Sequence, residues 1–217
     1  YTVTGTDANG CVAKAIVPVN VNLLPVLTTS PGATYCDGGS AAISASGAYT
    51  YSWAPATGLS STVGSSVVSH ATSTTIYTVT GTSPFGCTST ASVGITVSPL
   101  PNVYSVTGGG TFCAGGIGVP VGLSGSQGGL DYKLYNGGIY TGISRTGSGS
   151  SLDFGHPSSS GYYTVKCTNM ATGCWDTMTG GATILINSIP AAGSVTGGGS
   201  YCTGGTGVHV GLIGTVS

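Results

Sequence analysis

Charge is nearly missing from this sequence. Only 4% of its 217 residues are charged, and its five acidic residues, Asp7, Asp37, Asp131, Asp153 and Asp176, include no Glu. The cations are Lys14, Lys133, Lys166 and Arg145, far apart along the chain. Binding of phosphate backbones needs clustered Lys and Arg, so no nucleic-acid partner is expected. Long apolar runs are missing too. The most apolar stretch, Ala15-Ile16-Val17-Pro18-Val19, is broken by Pro18 and Asn20, well short of the ~20 residues of a spanning helix, so membrane insertion is not expected. No CxxC pair exists and His70, His156 and His209 are scattered, which argues against zinc and leaves no cofactor to expect. Glycine is plentiful at 40 residues but has no three-residue period, which excludes collagen. Low charge combined with 40% hydrophobic residues argues against disorder, because disordered chains carry high charge and little hydrophobicity.

What is present is internal repetition. Tyr1-Thr2-Val3-Thr4-Gly5-Thr6 recurs as Tyr77-Thr78-Val79-Thr80-Gly81-Thr82, 76 residues later (77 − 1). At that offset Cys11 falls on Cys87, Val21 on Val97 and Pro25 on Pro101. A second repeat places Ser105-Val106-Thr107-Gly108-Gly109-Gly110 on Ser194-Val195-Thr196-Gly197-Gly198-Gly199, 89 residues on (194 − 105), and Cys113 on Cys202. Residues 1–25 therefore read as the tail of a type A module and 26–101 as a complete type A module. Residues 102–190 read as a complete type B module and 191–217 as the start of another. The two types are related, since Tyr35-Cys36-Asp37-Gly38-Gly39 resembles Phe112-Cys113-Ala114-Gly115-Gly116. The chain is expected to be a window on a much longer repetitive polypeptide.

Each module reads as strands. Short Val, Ile, Thr and Tyr runs alternate with period two and are separated by turn residues. Asn136-Gly137-Gly138 between Tyr132-Lys133-Leu134-Tyr135 and Ile139-Tyr140-Thr141 signals a hairpin. No window has helical periodicity. The expected fold is all-β, with tandem β-sandwich modules on short linkers such as Leu23-Leu24-Pro25 and Leu100-Pro101.

Seven cysteines follow the repeats. Cys36 and Cys87 hold equivalent places in type A to those of Cys113 and Cys174 in type B. This predicts one disulfide inside each module, Cys36–Cys87 and Cys113–Cys174, in an oxidising extracytoplasmic compartment. Cys11 and Cys202 are expected to pair with cysteines beyond the window. Cys167 is left over, either as a buried free thiol or as the partner of Cys174 across a hairpin turn.

The runs Trp53-Ala54-Pro55-Ala56-Thr57-Gly58-Leu59-Ser60, Tyr77-Thr78-Val79-Thr80-Gly81-Thr82, Gly86-Cys87 and Pro99-Leu100-Pro101 resemble the PKD-like and Ig-like repeats of giant type IX-secreted Bacteroidota surface proteins, adhesins and gliding-motility proteins among them. The run from Val106-Thr107-Gly108-Gly109-Gly110 to Cys113-Ala114-Gly115-Gly116, with Leu134-Tyr135 and Met178-Thr179-Gly180, is similar to a companion repeat of the same proteins. The resemblance implies a cell-surface location, a long fibrous form and a part in adhesion or motility. It implies no catalytic residue, and Cys167 departs from the small residue usual at its position.

Other candidates are few. The three histidines and five aspartates form no nucleophile–base pair or carboxylate cluster, so neither an enzyme nor a calcium site is expected. Trp53 and Trp175 are expected in the core, with a sugar-stacking platform as the rival reading. Asp176-Thr177-Met178 fits the Asp-Ser/Thr-apolar pattern of Bacteroidota O-glycosylation, which makes Thr177 a candidate acceptor. The expected function is a structural or adhesive segment of a long extracellular protein or filament. Its partners would be neighbouring repeats, identical chains or surface glycans. The alternative is a carbohydrate- or protein-binding accessory module of a secreted enzyme.

Overall fold

The computed structural model describes residues 1–214, and every regular element among them is a strand. The chain forms two compact units, Tyr1–Pro99 and a second that begins at Leu100. The first opens with a hairpin of β1 (Thr2–Thr6) and β2 (Val12–Ile16), with Thr4 opposite Lys14. Its turn is closed by Asp7, whose Oδ1 accepts the N–H groups of Asn9 and Cys11 at 2.9 and 2.8 Å.

A sandwich follows, made of β3 (Thr28–Thr29), β4 (Ala33–Cys36), β5 (Ala41–Ser46), β6 (Thr50–Ala54), β7 (Ser66–Ser69), β8 (Thr75–Thr82) and β9 (Thr88–Ser98). One sheet has the order β3-β5-β7 and the other β4-β9-β8-β6. The leading segment divides between them, with β3 antiparallel to β5 and β4 parallel to β9. This is an immunoglobulin-like sandwich. Period-two alternation turns Tyr77 and Val79 of β8, and Val93 and Ile95 of β9, onto Ile43, Val67 and Trp53. The Tyr77 hydroxyl lies inside this core and donates to the Thr57 carbonyl at 2.8 Å, so its burial leaves no polar atom stranded.

The second unit repeats the scheme with β10 (Val106–Gly108), β11 (Gly110–Cys113), β12 (Val121–Leu123), β13 (Asp131–Asn136), β14 (Ile139–Thr146), β15 (Leu152–Asp153), β16 (Gly161–Thr168), β17 (Trp175–Thr177) and β18 (Ala182–Asn187). Its sheets run β10-β12-β15 and β11-β18-β16-β13-β14, with β17 also paired to β16. Two features set it apart. Strand β14 extends the larger sheet beyond β13, through the expected Asn136-Gly137-Gly138 turn. The closing strand is also broken into β17 and β18 around buried Met178, whose N–H still reaches the Val165 carbonyl at 2.8 Å. A hairpin of β19 (Ser194–Gly197) and β20 (Val210–Ile213) ends the described chain.

The central strands β8 and β16 share one burial pattern, with Tyr77, Val79 and Gly81 matched by Tyr163, Val165 and Cys167. The third pair differs in chemistry for a packing reason. A Cβ on Gly81 would collide with Leu27 Cδ2 and lie 2.7 Å from Ala48 Cβ. In the first sandwich, then, Leu27 occupies the space beside the strand. In the second, the Cys167 side chain belongs to the core cluster that also contains Tyr132. A Gly81→Val substitution is therefore expected to cost roughly 1–3 kcal/mol by overpacking. Adding Leu27→Ala should recover part of that loss, so the double variant unfolds at lower cost than the two singles together. Additive costs in thermal or denaturant unfolding would show that Leu27 does not fill this space.

Candidate functional site

The cysteines lie at opposite poles of each sandwich. Cys36 pairs with Ser98 at the end of β9, whereas Cys87 stands just before Thr88 at its beginning. Ten residue steps at about 3.3 Å separate the two ends by about 33 Å, and a disulfide needs Cα atoms within about 7 Å. In the second sandwich Cys113 pairs with Asn187. Cys174 lies beside Trp175, which pairs with Thr168 at the far end of β16 from the Gly161–Ile184 pair. The intramodule bonds Cys36–Cys87 and Cys113–Cys174 expected from the sequence are thus corrected. Equivalent placement in two modules reflected equivalent poles, not facing side chains. Cys87 and Cys113 carry free thiols, as do exposed Cys11 and Cys202, while Cys36 and Cys174 are disulfide-bonded.

Cys167 is a fully buried free thiol. Burial pushes its pKa up, the hydrogen bond to the Tyr132 side chain offsets part of this, and the charges of Asp131 and Asp176 add to the rise. Tyr132 itself is pushed up to about 12, again chiefly by burial, while the Gln127 N–H that donates to its hydroxyl at 2.8 Å pulls the other way. A protonated thiol in an apolar core is chemically quiet. Peptide mapping without reduction should show neither Cys36–Cys87 nor Cys113–Cys174. A maleimide should label Cys167 only after denaturation. Rapid labelling of Cys167 in the folded protein would overturn the core assignment.

Trp53 is buried, and its indole N–H donates to the Gly64 carbonyl at 2.9 Å. Trp175, expected in the core, is instead 56% exposed. Its neighbours Cys174 and Met178 are buried, and the short β17 turns Trp175 and Thr177 outward. There Trp175 joins a row of rings and ammonium groups. The Lys166 Nζ stands 4.9 Å from the Trp175 ring centroid and 5.4 Å from that of Tyr135. The Lys133 Nζ stands 5.7 Å from the Tyr140 ring, and the Tyr135 and Tyr140 centroids are 5.7 Å apart. Lys133 also pairs with Asp131 at 3.4 Å. Cation–π contacts at exposed sites are worth about 0.5–1 kcal/mol each. Beside the row a cleft of about 560 Å³ is lined by Ile139, Tyr140, Asn136, His156 and Ser158 above buried Tyr163.

The remaining candidates serve backbone turns. Asp37 accepts the Gly38 N–H at 2.9 Å and Asp153 the Gly155 N–H at 2.7 Å. Asp176 accepts the N–H of exposed Thr177 at 2.7 Å. His70, His156 and His209 are exposed in three separate loops. Among the described residues no three His, Cys, Asp or Glu side chains gather as a metal site, and no helix is long and apolar enough to cross a membrane.

No protein-family model and no curated protein matches the chain. Among solved structures, a Ca2+-stabilized adhesin with which an Antarctic bacterium binds ice aligns at 18% identity and TM-score 0.45, over 91% of this chain and 58% of that one. The insect immune protein hemolin aligns at 16% identity and TM-score 0.40, over 75% of this chain and 47% of its own. Murine CEACAM1b aligns at 12% identity and TM-score 0.37, over 75% of this chain and all of that one. The chain thus spans less than two thirds of the length of the adhesin and of hemolin. The immunoglobulin-like assignment rests on the strand order itself.

Proposed function

We propose that this chain is a structural and adhesive segment of a long, repetitive extracellular protein, with no catalytic role. One observation carries the reading: identical sequence is core in one place and surface in another. Tyr77 and Val79 are fully buried, yet their copies Tyr1 and Val3 in the leading hairpin are 84% and 63% exposed. The hairpin has the pairing of a sandwich sheet but lacks strands to cover its apolar face. Further type A strands would cover it, as they do in the complete module. Each sandwich otherwise closes its own core, the condition that lets an array lengthen without redesign. Sparse charge lets such modules lie side by side with little repulsion. On this reading the parent is a cell-surface stalk or filament of the Bacteroidota type that the sequence resembles, and Thr177 carries an O-glycan that supplies hydration the missing charges do not.

A second reading, a ligand-binding accessory module, is favoured by the exposed row from Trp175 to Tyr140 and its cleft, features that suit a sugar-stacking platform.

Electron microscopy and intact mass of the native polypeptide separate the two. Long beaded fibres are expected, with a mass well above 21.0 kDa and additional hexose-type increments on the Thr177 peptide. A compact, non-associating particle of 21.0 kDa would overturn the array. Loss of glycan binding on Trp175→Ala in such a particle would establish the accessory reading.

A further inference from the structure

We infer that Cys87 is one half of a disulfide between successive type A sandwiches, its partner being the cysteine that occupies the Cys36 position of the preceding repeat. The inference rests on the array reading and adds to it a covalent joint. Three observations meet at one peptide group. First, Cys87 cannot bond within its own sandwich, because Cys36 lies at the other end of β9. Second, the Cys87 Sγ already touches the incoming chain, where it donates to the Asn22 carbonyl at 3.8 Å. Third, Asn22 stands 76 residues before Ser98 (98 − 22), the repeat offset, and Ser98 is the residue that Cys36 pairs with in the complete module.

The strand equivalent to β4, laid along residues 19–22 in the register of Cys36 with Ser98, would therefore put its cysteine beside Asn22. Parallel neighbours lie about 4.8 Å apart, so that cysteine and Cys87 would flank one peptide. Cys36 being disulfide-bonded itself shows that this pole of the type A sandwich supports an oxidised cysteine. The bond would form by thiol–disulfide exchange. A Cys87 thiolate attacks a disulfide oxidant such as oxidised glutathione and releases one glutathione thiolate, and the partner thiolate then attacks the Cys87 sulfur of the mixed disulfide and displaces the second. Two thiols lose two protons and two electrons, and two reduced glutathiones leave. Because a type A sandwich has such cysteines at both poles, each joint would receive one bond and no sandwich would be stapled to itself.

The test lengthens the full chain by one repeat remainder. A copy of residues 26–76 is fused ahead of Tyr1, which restores the 76-residue period, and the copy carries Thr34→Ser on an exposed site as a mass mark. The chain is oxidised with glutathione, alkylated and digested without reduction, and hydrogen exchange is followed across residues 1–17. The expected result is a linked peptide joining the marked Tyr-Cys-Asp-Gly-Gly segment to Cys87, with amides of β1 and β2 newly protected. Cys87→Ser should leave the added cysteine open to alkylation while that protection persists. Protected amides with an alkylated Cys87 would overturn the disulfide and leave the array intact. Unprotected amides would overturn the array reading, and the joint with it.

Discussion

Each sandwich depends on one buried phenol. Tyr77 and Tyr163 occupy the same inward position on the central strands β8 and β16, and each hydroxyl donates to a loop carbonyl, Tyr77 to the β6–β7 connection and Tyr163 to the loop leading into β16. Tyr77 bonds Thr57 at 2.8 Å and Tyr163 bonds Ser159 at 2.9 Å. A phenylalanine could fill the same volume but could not anchor the loop. In a chain with so few charges, loops cannot be tied by ion pairs, and the only such pair among the described residues is Lys133–Asp131. The ring supplies apolar burial and its tip supplies order. Tyr132 extends the device by accepting the Gln127 N–H, and Tyr51 both donates to and accepts from the Ala48 peptide. No buried side-chain nitrogen or oxygen among the described residues lacks a hydrogen bond.

The same economy accounts for what separates the two sandwiches. Once the tyrosine positions are set, the third inward place on the central strand can hold glycine or cysteine, provided something else adjusts. Leu27 adjusts in the first sandwich, and the Tyr132–Cys167 contact does so in the second. Cys167 is in this sense a core residue that happens to contain sulfur. Cys87 and Cys113 are its opposite, half-buried and exposed thiols at the poles.

Much of the core was legible because repetition and alternation both speak about facing. The pairing of Tyr77 with Tyr163, and of Val79 with Val165, follows from matched motifs, and their burial follows from period two. The disulfides were not legible by the same route. Repetition says that Cys36 and Cys113 are alike, and Cys87 and Cys174 are alike, but pole position depends on strand direction and register across the sheet. Cys36 lies on a strand parallel to β9 and Cys87 in the turn that precedes β9, and no local pattern reports that. Trp175 was misread for a related reason. Bulk suggested core, whereas its place on the short β17 turned it to solvent beside Lys166.

Strand direction then decides what the poles are for. In an immunoglobulin-like sandwich whose first strand lies parallel to its last, the cysteine near the start of the module sits where the chain leaves. The cysteine near the end sits where the chain enters. Sequence order and spatial order are thus inverted, and a module's early cysteine is presented forward while its late cysteine is presented backward. An intramodule staple would shorten the unfolded loop of one module and do nothing for the joint. Bonds that leave the module instead act on the linker, the one part of such an array that has no core of its own. Contact between the Cys87 sulfur and the Asn22 carbonyl places the thiol on the chain entering the sandwich, so in the array proposed above a bond from Cys87 would act at the joint rather than within a module.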